Sequence, residues 1–313
     1  MNSAPRTAFV LGAGLGTRLR PLTNRRPKPL IPVANRPLLA HAFGHLAAVG
    51  IERFVVNTHW HAERYGEFFP DGRWEGRPVA FVEEQPEVLE TAGGIWNARA
   101  QLEGGTFVVY NGDIFSDLPL APLLARHREH GNEVTLVLRS RGGNRNVAFD
   151  EASGRVIDLR RALRPEVEPH HLFTGIYVME PGFISRIPAG RKLSVVPIFH
   201  EMIRTGGKLG GIVIDDGAWW DLGTRGEYLA VHAALANRGA PWIAADAHVA
   251  TDARISGATA IARGARIGEG AELRDCIVWE DAEVAPGSRL ARCIVADGVR
   301  AAGEHVDADF APD

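Results

Sequence analysis

The residues with the clearest chemical potential lie near the start of the chain, where alternate glycines precede an arginine and a lysine. The run is Leu11-Gly12-Ala13-Gly14-Leu15-Gly16-Thr17-Arg18, and Lys28 follows between two prolines. Glycines let the backbone approach a ligand closely, and successive N–H groups can point into one concavity that suits phosphate oxygens. The segment therefore predicts a phosphate-binding loop with Arg18 and Lys28 as cations at its rim.

The glycine spacing argues against two common nucleotide-binding loops. A dinucleotide-binding loop has G-x-G-x-x-G and an acidic residue about 20 residues later, whereas this chain has G-x-G-x-G and its second strand ends in Val55-Val56-Asn57-Thr58. A Walker A loop ends in Gly-Lys-Ser or Gly-Lys-Thr, and that ending is missing. A tight turn that binds nothing would leave the two cations unexplained.

A carboxylate follows another short apolar run, in Asn111-Gly112-Asp113. An aspartate at the end of a buried strand, after a glycine that lets a ligand approach, is well placed for a hard cation. Taken alone, Asp113 is better explained as a loop cap. Its metal-binding role therefore depends on a second carboxylate elsewhere in the chain.

The order G-x-G-T-R-L-x-P-x-T followed by P-K-P resembles the signature of the sugar-1-phosphate nucleotidyltransferases. The resemblance implies that the first loop holds the nucleotide and that the loop from Glu83 to Gly94 meets the base. The family has a glycine at the position of Glu90. The nucleotide-binding residues that it implies are Leu11, Gly12, Ala13, Gly14, Gly16, Thr17, Arg18, Gln85, Ala92 and Gly93.

The segment Trp219-Trp220-Asp221-Leu222-Gly223-Thr224 is similar to the W-x-D-x-G-T motif of the same family. The resemblance implies that Asp221 shares a Mg²⁺ ion with Asp113, and Mg²⁺ characteristically takes one or two protein carboxylates beside substrate phosphates. The expected catalytic residues are then Arg18, Lys28, Asp113 and Asp221, of which the two aspartates hold the metal.

The sugar phosphate is expected between these motifs, beside the strand Leu172-Phe173-Thr174-Gly175-Ile176-Tyr177-Val178, which resembles the T-G-I-Y element of the family. Many members carry a Glu-Lys pair before this strand, where this chain has Asp158-Leu159-Arg160-Arg161. Arg161 is one candidate for the phosphate-binding cation, although an exposed loop arginine is an equal alternative. The implied sugar-phosphate residues are Asn111, Asn146, Arg161, Thr174, Gly175 and Lys192.

The elements that must position these residues alternate between short apolar strands and amphipathic helices of about ten residues from Thr7 to Leu138. Such alternation predicts an α/β fold with a mostly parallel sheet flanked by helices. Ligands bind beyond the carboxyl ends of the strands in these sheets. The resemblance implies a Rossmann-like mixed sheet over residues 1–240.

From residue 241 the pattern changes to a hexapeptide repeat. Apolar residues recur at intervals of six in the order Ile243, Val249, Ile255, Ile261, Ile267 and Leu273. This period is typical of a left-handed parallel β-helix, which we expect over residues 241–303, followed by a tail over 304–313. Cys276 and Cys293 are expected to stack in neighbouring coils as small core residues. The module resembles a homo-oligomerising domain, and an acyltransferase activity is the weaker interpretation.

Composition narrows the function classes. The 313 residues carry a formal net charge of −3 and two cysteines, so no basic surface for nucleic acid and no disulfide framework is expected. We expect no membrane segment and a cytoplasmic protein.

The expected reaction joins an NTP and a sugar 1-phosphate to give an NDP-sugar and pyrophosphate. Leu89-Glu90-Thr91-Ala92-Gly93-Gly94 resembles the corresponding loop of N-acetylmuramate-1-phosphate uridylyltransferases. This resemblance favours UTP and an N-acetylated hexose phosphate. The alternatives are a mannose-1-phosphate guanylyltransferase that uses GTP and a non-catalytic regulatory protein that binds nucleotide sugars.

Overall fold

The computed structural model describes residues 4–312, which divide into two compact units. The first, called the sheet unit here, joins the chain up to Gly14 with Leu39–Trp219. The second, called the β-helix unit, joins Leu15–Leu38 with the chain from Trp220 onward. The segment that carries Arg18 and Lys28 therefore groups with the C-terminal part of the chain, although the repeat pattern placed the boundary at residue 240.

The strands before the hexapeptide repeat alternate with helices, as the apolar pattern predicts. They are β1 (Thr7–Leu11), β2 (Pro32–Val33), β3 (Arg36–Pro37), β4 (Arg53–Thr58), β5 (Arg73–Trp74), β6 (Arg77–Glu83), β7 (Phe107–Asn111), β8 (Ile114–Ser116), β9 (Val134–Arg139), β10 (Val147–Asp150), β11 (Arg155–Leu159), β12 (Leu172–Met179), β13 (Leu209–Val213) and β14 (Trp219–Asp221). The main sheet has the order β10-β11-β13-β9-β12-β7-β1-β4-β6-β5.

The main sheet is mixed and mostly parallel around β1, which confirms the expected fold class. β1 runs parallel to β4 and β7, and its residues Ala8, Phe9 and Val10 are fully buried. β12 runs antiparallel to β7 and β9. Because Leu11 is in register with both Asn57 and Asn111, the carboxyl ends of three strands meet at one edge. The predicted ligand-binding loops of the sheet unit leave from this edge.

The helices follow the apolar periodicity with small shifts at their ends. They are α1 (Leu38–Ala47), α2 (Arg64–Phe68), α3 (Glu90–Asn97), α4 (Arg99–Leu102), α5 (Ala121–His130), α6 (Val195–Arg204) and α7 (Arg225–Leu235). The apolar pattern predicts one helix over residues 91–101, whereas the structure divides this segment at Ala98 into α3 and α4. Short 3-10 turns at Thr17–Leu19 and Lys28–Leu30 carry Arg18 and Lys28.

The hexapeptide repeat forms stacked coils with parallel sheets. Its strands are β15 (Trp242–Ile243), β16 (His248–Val249), β17 (Arg254–Ser256), β18 (Ala260–Ile261), β19 (Arg266–Ile267), β20 (Glu272–Arg274), β21 (Ile277–Val278), β22 (Glu283–Val284), β23 (Arg289–Ala291), β24 (Ile294–Val295), β25 (Arg300–Ala301), β26 (Glu304–Val306) and β27 (Asp309–Phe310). In one sheet Ile243, Ile261, Val278, Val295 and Phe310 are in register.

The β-helix extends beyond its expected end at residue 303. β26 pairs with β23 and β27 pairs with β24, so residues 304–310 belong to the coils and the expected tail is wrong there. Residues 1–3 of the expected catalytic domain and residue 313 of the expected tail lie outside the described residues.

Both cysteines lie in the core of the β-helix. Ile277 donates its backbone N–H to the Cys293 carbonyl, which places the cysteines in neighbouring coils, and both thiols are free and buried. Burial raises the pKa of the Cys276 thiol to about 11. At neutral pH this thiol is therefore protonated and behaves as a small apolar core group.

Among residues 4–312, the helices are all too short or too polar to span a bilayer.

Candidate active site

The first predicted loop begins at Gly12, which is held tightly at the end of β1. Its N–H donates to Asn57 Oδ1 at 2.8 Å, and the Tyr65 hydroxyl donates to its carbonyl at 2.9 Å. A Cβ at Gly12 would lie 2.7 Å from the Asn57 carbonyl oxygen. Gly12 is thus required by packing, whereas a Cβ at Gly14 would have no atom of residues 4–312 within 4 Å. Gly14 is the glycine whose absent side chain leaves room for a ligand.

A buried carboxylate connects this loop to the predicted base-binding loop. Glu84 Oε1 accepts a hydrogen bond of 2.7 Å from Asn57 Nδ2, and its other oxygen accepts one of 2.7 Å from the Leu89 N–H. Glu84 is fully buried, and burial raises the pKa of its carboxyl. Sequence reasoning missed Asn57 and Glu84, although an asparagine that ends a buried strand and a pair of glutamates at the start of the next loop were available signals.

The predicted base-binding residues are Gln85, Ala92 and Gly93. The N–H groups of Ala92 and Gly93 both donate to the Leu193 carbonyl, at 2.8 and 3.1 Å. They are therefore used inside the fold and cannot also donate to a base. Gln85 is exposed, and its Nε2 donates to Glu83 at 2.6 Å.

Glu90 and Lys192 each have a defined structural role in or beside this loop. Glu90 has a φ of 60°, in the left-handed region that favours glycine. It therefore adopts the backbone conformation expected of the family glycine that it replaces. Lys192 forms an ion pair of 3.0 Å with Glu87 on the exposed side of the loop. The hydrogen bond to Glu87 raises the pKa of the Lys192 ammonium, which stays charged at neutral pH.

Asp113 leaves the same edge of the sheet, immediately after β7. The Gly112 N–H donates to the Leu11 carbonyl at 2.9 Å, and a Cβ at Gly112 would lie 2.5 Å from that oxygen. The glycine is needed because the first loop and the Asp113 loop approach closely here. Asp113 itself is half-buried.

Three of the predicted sugar-side residues, Asn111, Thr174 and Gly175, belong to strands β7 and β12. Gly175 has a φ of 80°, and a Cβ there would lie 2.4 Å from Asn111 Nδ2, so these two residues are adjacent at the strand ends. Thr174 is 1% exposed, and its hydroxyl donates to the Val137 carbonyl at 3.0 Å. The Thr174 hydroxyl is therefore used for a hydrogen bond inside the fold. Contrary to the expectation, the Thr174 side chain does not line an open surface.

Arg161 lies in the loop after β11 and forms an ion pair with Glu168 on the exposed surface. The loop is organised by Asp158, whose carboxylate accepts hydrogen bonds from the backbone of Ala162, Leu163 and Arg164. Asn146 is half-buried, and its backbone pairs with His171. The Asp158 carboxylate thereby fixes the backbone that follows Arg161.

In the β-helix unit, the residues after the glycines form a compact turn. Gly16 has a φ of 61°, and its carbonyl accepts a hydrogen bond of 2.8 Å from the Thr23 hydroxyl. Thr23 is the threonine of the L-x-P-x-T pattern, and it is fully buried. The hydrogen bond closes the turn that presents Thr17 and Arg18 at the surface.

Lys28, Arg18 and Asp221 come together in this unit, as the motifs predict. Lys28 is 6% exposed and its Nζ lies 3.5 Å from Asp221 Oδ1, while Arg18 Nη2 lies 3.7 Å from Oδ2. A Cβ at Gly223 would lie 2.3 Å from Arg18 Nη1, so the Arg18 guanidinium lies directly beside the glycine of the W-x-D-x-G-T motif. Within residues 4–312, Asp221 Oδ1 is buried and accepts no hydrogen bond. A carboxylate oxygen left in this state suits a cation.

The expected Mg²⁺ would depend on few protein donors. In the described part of the chain there is no group of three or more His, Cys, Asp or Glu side chains that could hold a metal ion. Mg²⁺ needs only one or two protein carboxylates beside substrate phosphates and water, so the joint role of Asp113 and Asp221 stays a prediction.

Comparison with known proteins gives the class of this chain. The family model described as nucleotidyl transferase matches residues 7–238. The chain is 37% identical to the mannose-1-phosphate guanylyltransferase of Mycobacterium tuberculosis over 94% of its length and 80% of that protein. It is 31% identical to the N-acetylmuramate alpha-1-phosphate uridylyltransferase of Caulobacter vibrioides over 75% of its length and 99% of that protein.

A solved structure described as the inositol-1-phosphate CTP transferase from T. maritima supports the fold. It matches with a TM-score of 0.62 and 20% identity, over 72% of this chain and 93% of that one. The chain belongs to the nucleotidyl transferase family. Within it, the chain is a sugar-1-phosphate nucleotidyltransferase.

Proposed function

We propose that this enzyme transfers a guanylyl group from GTP to mannose 1-phosphate. The observation that carries the proposal is the 37% identity to the Mycobacterium tuberculosis mannose-1-phosphate guanylyltransferase, which extends over 94% of the chain and so includes the β-helix. The proposal reverses the preference for UTP that the base-binding loop suggested.

The chemistry of the predicted base-binding loop supports guanine. Glu83, Glu87 and Glu90 give this loop several carboxylates, and ionised carboxylates only accept hydrogen bonds. The Watson–Crick edge of guanine offers two donor groups, N1–H and N2–H₂, whereas that of uracil offers one. Glu83 and Glu87 already have partners in Gln85 and Lys192, so the proposal relies on the exposed Glu90 and on the remaining acceptor capacity of the other two carboxylates to complement guanine.

The second candidate is transfer of a uridylyl group from UTP to an N-acetylated hexose 1-phosphate. It is favoured by the Leu89-Glu90-Thr91 sequence and by the similarity to the Caulobacter vibrioides uridylyltransferase. That similarity covers 75% of this chain but 99% of that enzyme, so it leaves a quarter of this chain unmatched. We rank it second for this reason.

In the proposed reaction an oxygen of the sugar phosphate attacks the α-phosphorus of the NTP. A new oxygen–phosphorus bond forms, the bond from the α-phosphorus to the bridging oxygen breaks, and pyrophosphate leaves with that electron pair. No protein nucleophile is needed, so positioning and charge compensation supply most of the rate enhancement.

The chain's own cations fit this reaction. Arg18 is exposed at the end of the glycine loop, where its guanidinium could bind the triphosphate bidentately. Lys28 is buried, its ammonium lies 3.5 Å from Asp221 Oδ1, and a proline on either side restricts the backbone that carries it. We propose that Lys28 neutralises charge on the α-phosphate and on the incoming phosphate. Bound Mg²⁺, held by Asp113 and Asp221, would add further neutralisation of the phosphate charge.

Initial rates of pyrophosphate release should be measured with GTP, UTP, dTTP, CTP and ATP, each against mannose 1-phosphate, glucose 1-phosphate and N-acetylmuramate 1-phosphate. The GTP and mannose 1-phosphate pair should give the highest kcat/KM by at least about tenfold, equivalent to 1.4 kcal/mol in transition-state binding. A maximum with UTP and an N-acetylated sugar would replace the first candidate by the second. No turnover with any pair would favour the non-catalytic regulatory alternative.

A further inference from the structure

The loop that carries Lys28 is held by the β-helix through a buried arginine. The Arg26 side chain is 2% exposed, and its Nη1 lies 2.7 Å from Glu280 Oε2 while its Nη2 lies 3.5 Å from Asp297 Oδ2. Its guanidinium also lies 4.7 Å from the ring centroid of the buried Trp279. We call Arg26, Trp279, Glu280 and Asp297 the arginine anchor.

The chain on the other side of Lys28 is held as well. Asn35 Nδ2 donates to the Trp242 carbonyl at 2.9 Å and to the Ile261 carbonyl at 2.8 Å. The Tyr228 hydroxyl donates to the Pro32 carbonyl, and Trp279 Nε1 donates to that hydroxyl at 3.2 Å. Lys28 therefore lies between two attachment points on the β-helix unit.

The arginine anchor can fix the position of Lys28 because the two lie close together on a restricted stretch of backbone. Arg26 precedes Lys28 by two residues, and Pro27 and Pro29 restrict the backbone between and beyond them. A change in the position of Arg26 is thus transmitted to the Lys28 ammonium and to its 3.5 Å separation from Asp221 Oδ1. Displacement of a charge-bearing group by about 1 Å can lower a rate a hundredfold.

We propose that the β-helix takes part in catalysis by positioning Lys28, and that Arg26, Glu280 and Asp297 are positioning residues for this purpose. A buried charge costs free energy unless it is paired, so the two carboxylates select one location for Arg26 and hence one for the loop. The inference depends on the proposed role of Lys28, and it adds a function for the β-helix beyond assembly.

The test compares Glu280→Gln with Glu283→Gln. Both substitutions remove a β-helix carboxylate that pairs with an arginine, but Glu283 pairs with the exposed Arg300 at 3.1 Å. Glu280→Gln should lower kcat at least tenfold and change KM for the NTP less than threefold, because the charge that Lys28 is proposed to compensate counts most in the transition state. Glu283→Gln should match the wild-type enzyme. Equal rates for Glu280→Gln and the wild type would overturn the proposal.

A double-mutant cycle separates positioning from general damage to the fold. On a Lys28→Ala background, Glu280→Gln should change the residual kcat less than twofold, because its effect is transmitted through the missing ammonium. The same tenfold loss in both backgrounds would show a merely structural role and would contradict the inference. If Glu280→Gln does not fold, the paired Arg26→Met and Glu280→Leu variant removes both charges together and permits the same comparison.

Hydrogen exchange distinguishes failure of this inference from failure of the proposed function. Peptides that cover residues 24–37 should exchange at least tenfold faster in Glu280→Gln than in the wild type and Glu283→Gln. This measurement requires no turnover. Unchanged exchange would reject the arginine anchor even in an active enzyme, whereas an inactive wild type with the expected exchange would reject only the proposed reaction.

Discussion

At the scale of single residues, Gly12 and Gly14 of the first loop are glycines for different physical reasons. A Cβ at Gly12 would meet the Asn57 backbone at 2.7 Å, and backbone atoms cannot move aside as a flexible side chain can. Gly14 has open space and an ordinary backbone conformation. Packing explains the first glycine, and the open space at the second is what the proposed approach of a phosphate requires.

This difference predicts opposite outcomes for two alanine substitutions. Gly12→Ala should lower the free energy of unfolding by about 1–3 kcal/mol through overpacking, whereas Gly14→Ala should change it by less than about 0.5 kcal/mol. Gly14→Ala should nevertheless reduce kcat/KM for the NTP at least about tenfold, because its methyl group enters the ligand space. Urea unfolding and initial rates measure the two effects, with Gly104→Ala as a control. Wild-type kcat/KM in Gly14→Ala would reject phosphate binding at this position.

A second prediction at the residue scale concerns the two aspartates. Asp113→Asn and Asp221→Asn should each lower kcat by orders of magnitude, while Asp216→Asn, at an exposed position five residues before Asp221 in the chain, should not. Asp221→Asn should also cost about 1 kcal/mol of stability, because it removes a negative charge 3.5 Å from the buried Lys28 ammonium. Adding Lys28→Met should recover that stability without recovering activity. Near wild-type turnover in either aspartate variant would disprove its assignment to the metal.

At the scale of elements, the N-terminus of α3 shows how loops and helices constrain each other. The N–H groups of its third and fourth residues, Ala92 and Gly93, donate to the Leu193 carbonyl, and the Thr91 hydroxyl accepts a hydrogen bond of 2.7 Å from the Val195 N–H. The segment before α6 is thereby joined to the base-binding loop. Glu90 enters the helix with a left-handed backbone, which for a residue other than glycine costs about 1–2 kcal/mol.

The left-handed conformation predicts that Glu90→Gly stabilises the protein relative to Glu90→Ala. Both variants lose the carboxylate, and only alanine keeps the Cβ strain, so glycine should be more stable by about 1 kcal/mol. Thermal or urea unfolding of the two variants gives the difference directly. Equal stability would mean that the loop relaxes at no cost when the side chain is changed.

At the scale of the whole molecule, β26 is the last strand of its sheet among residues 4–312, so one of its edges has no partner strand there. All three residues of β26 are exposed, and Val306 in this strand is 62% exposed. An apolar side chain on an unpaired strand edge is a ready surface for association between copies of a chain. The expected homo-oligomer remains a prediction that this edge makes testable.

We therefore expect Val306→Lys to lower the molar mass measured by light scattering during size-exclusion chromatography. The lysine adds a like charge to each copy at an interface that is self-complementary in a symmetric dimer. Thr251→Lys, an exposed substitution in an earlier coil, is the control and should keep the wild-type mass. A wild-type monomer, or an unchanged mass in Val306→Lys, would contradict association through this edge.

The sequence alone determined the class of enzyme, because its chemistry requires particular residues at short spacings. The glycine loop with Arg18 and Lys28, and the segment around Asp221, are local patterns that need no knowledge of packing. The period of six likewise predicted the β-helix, because one coil after another must bury the same face.

Only the tertiary structure revealed the contacts that hold these motifs in place. Asn57 and Glu84 are 27 residues apart, and Arg26 and Glu280 are 254 residues apart. Each side chain alone is an ordinary polar residue, and its role depends on which partner the register of the strands and the stacking of the coils bring within hydrogen-bond distance. The sequence therefore predicted the groups that do the chemistry, while the fold decided which residues position them.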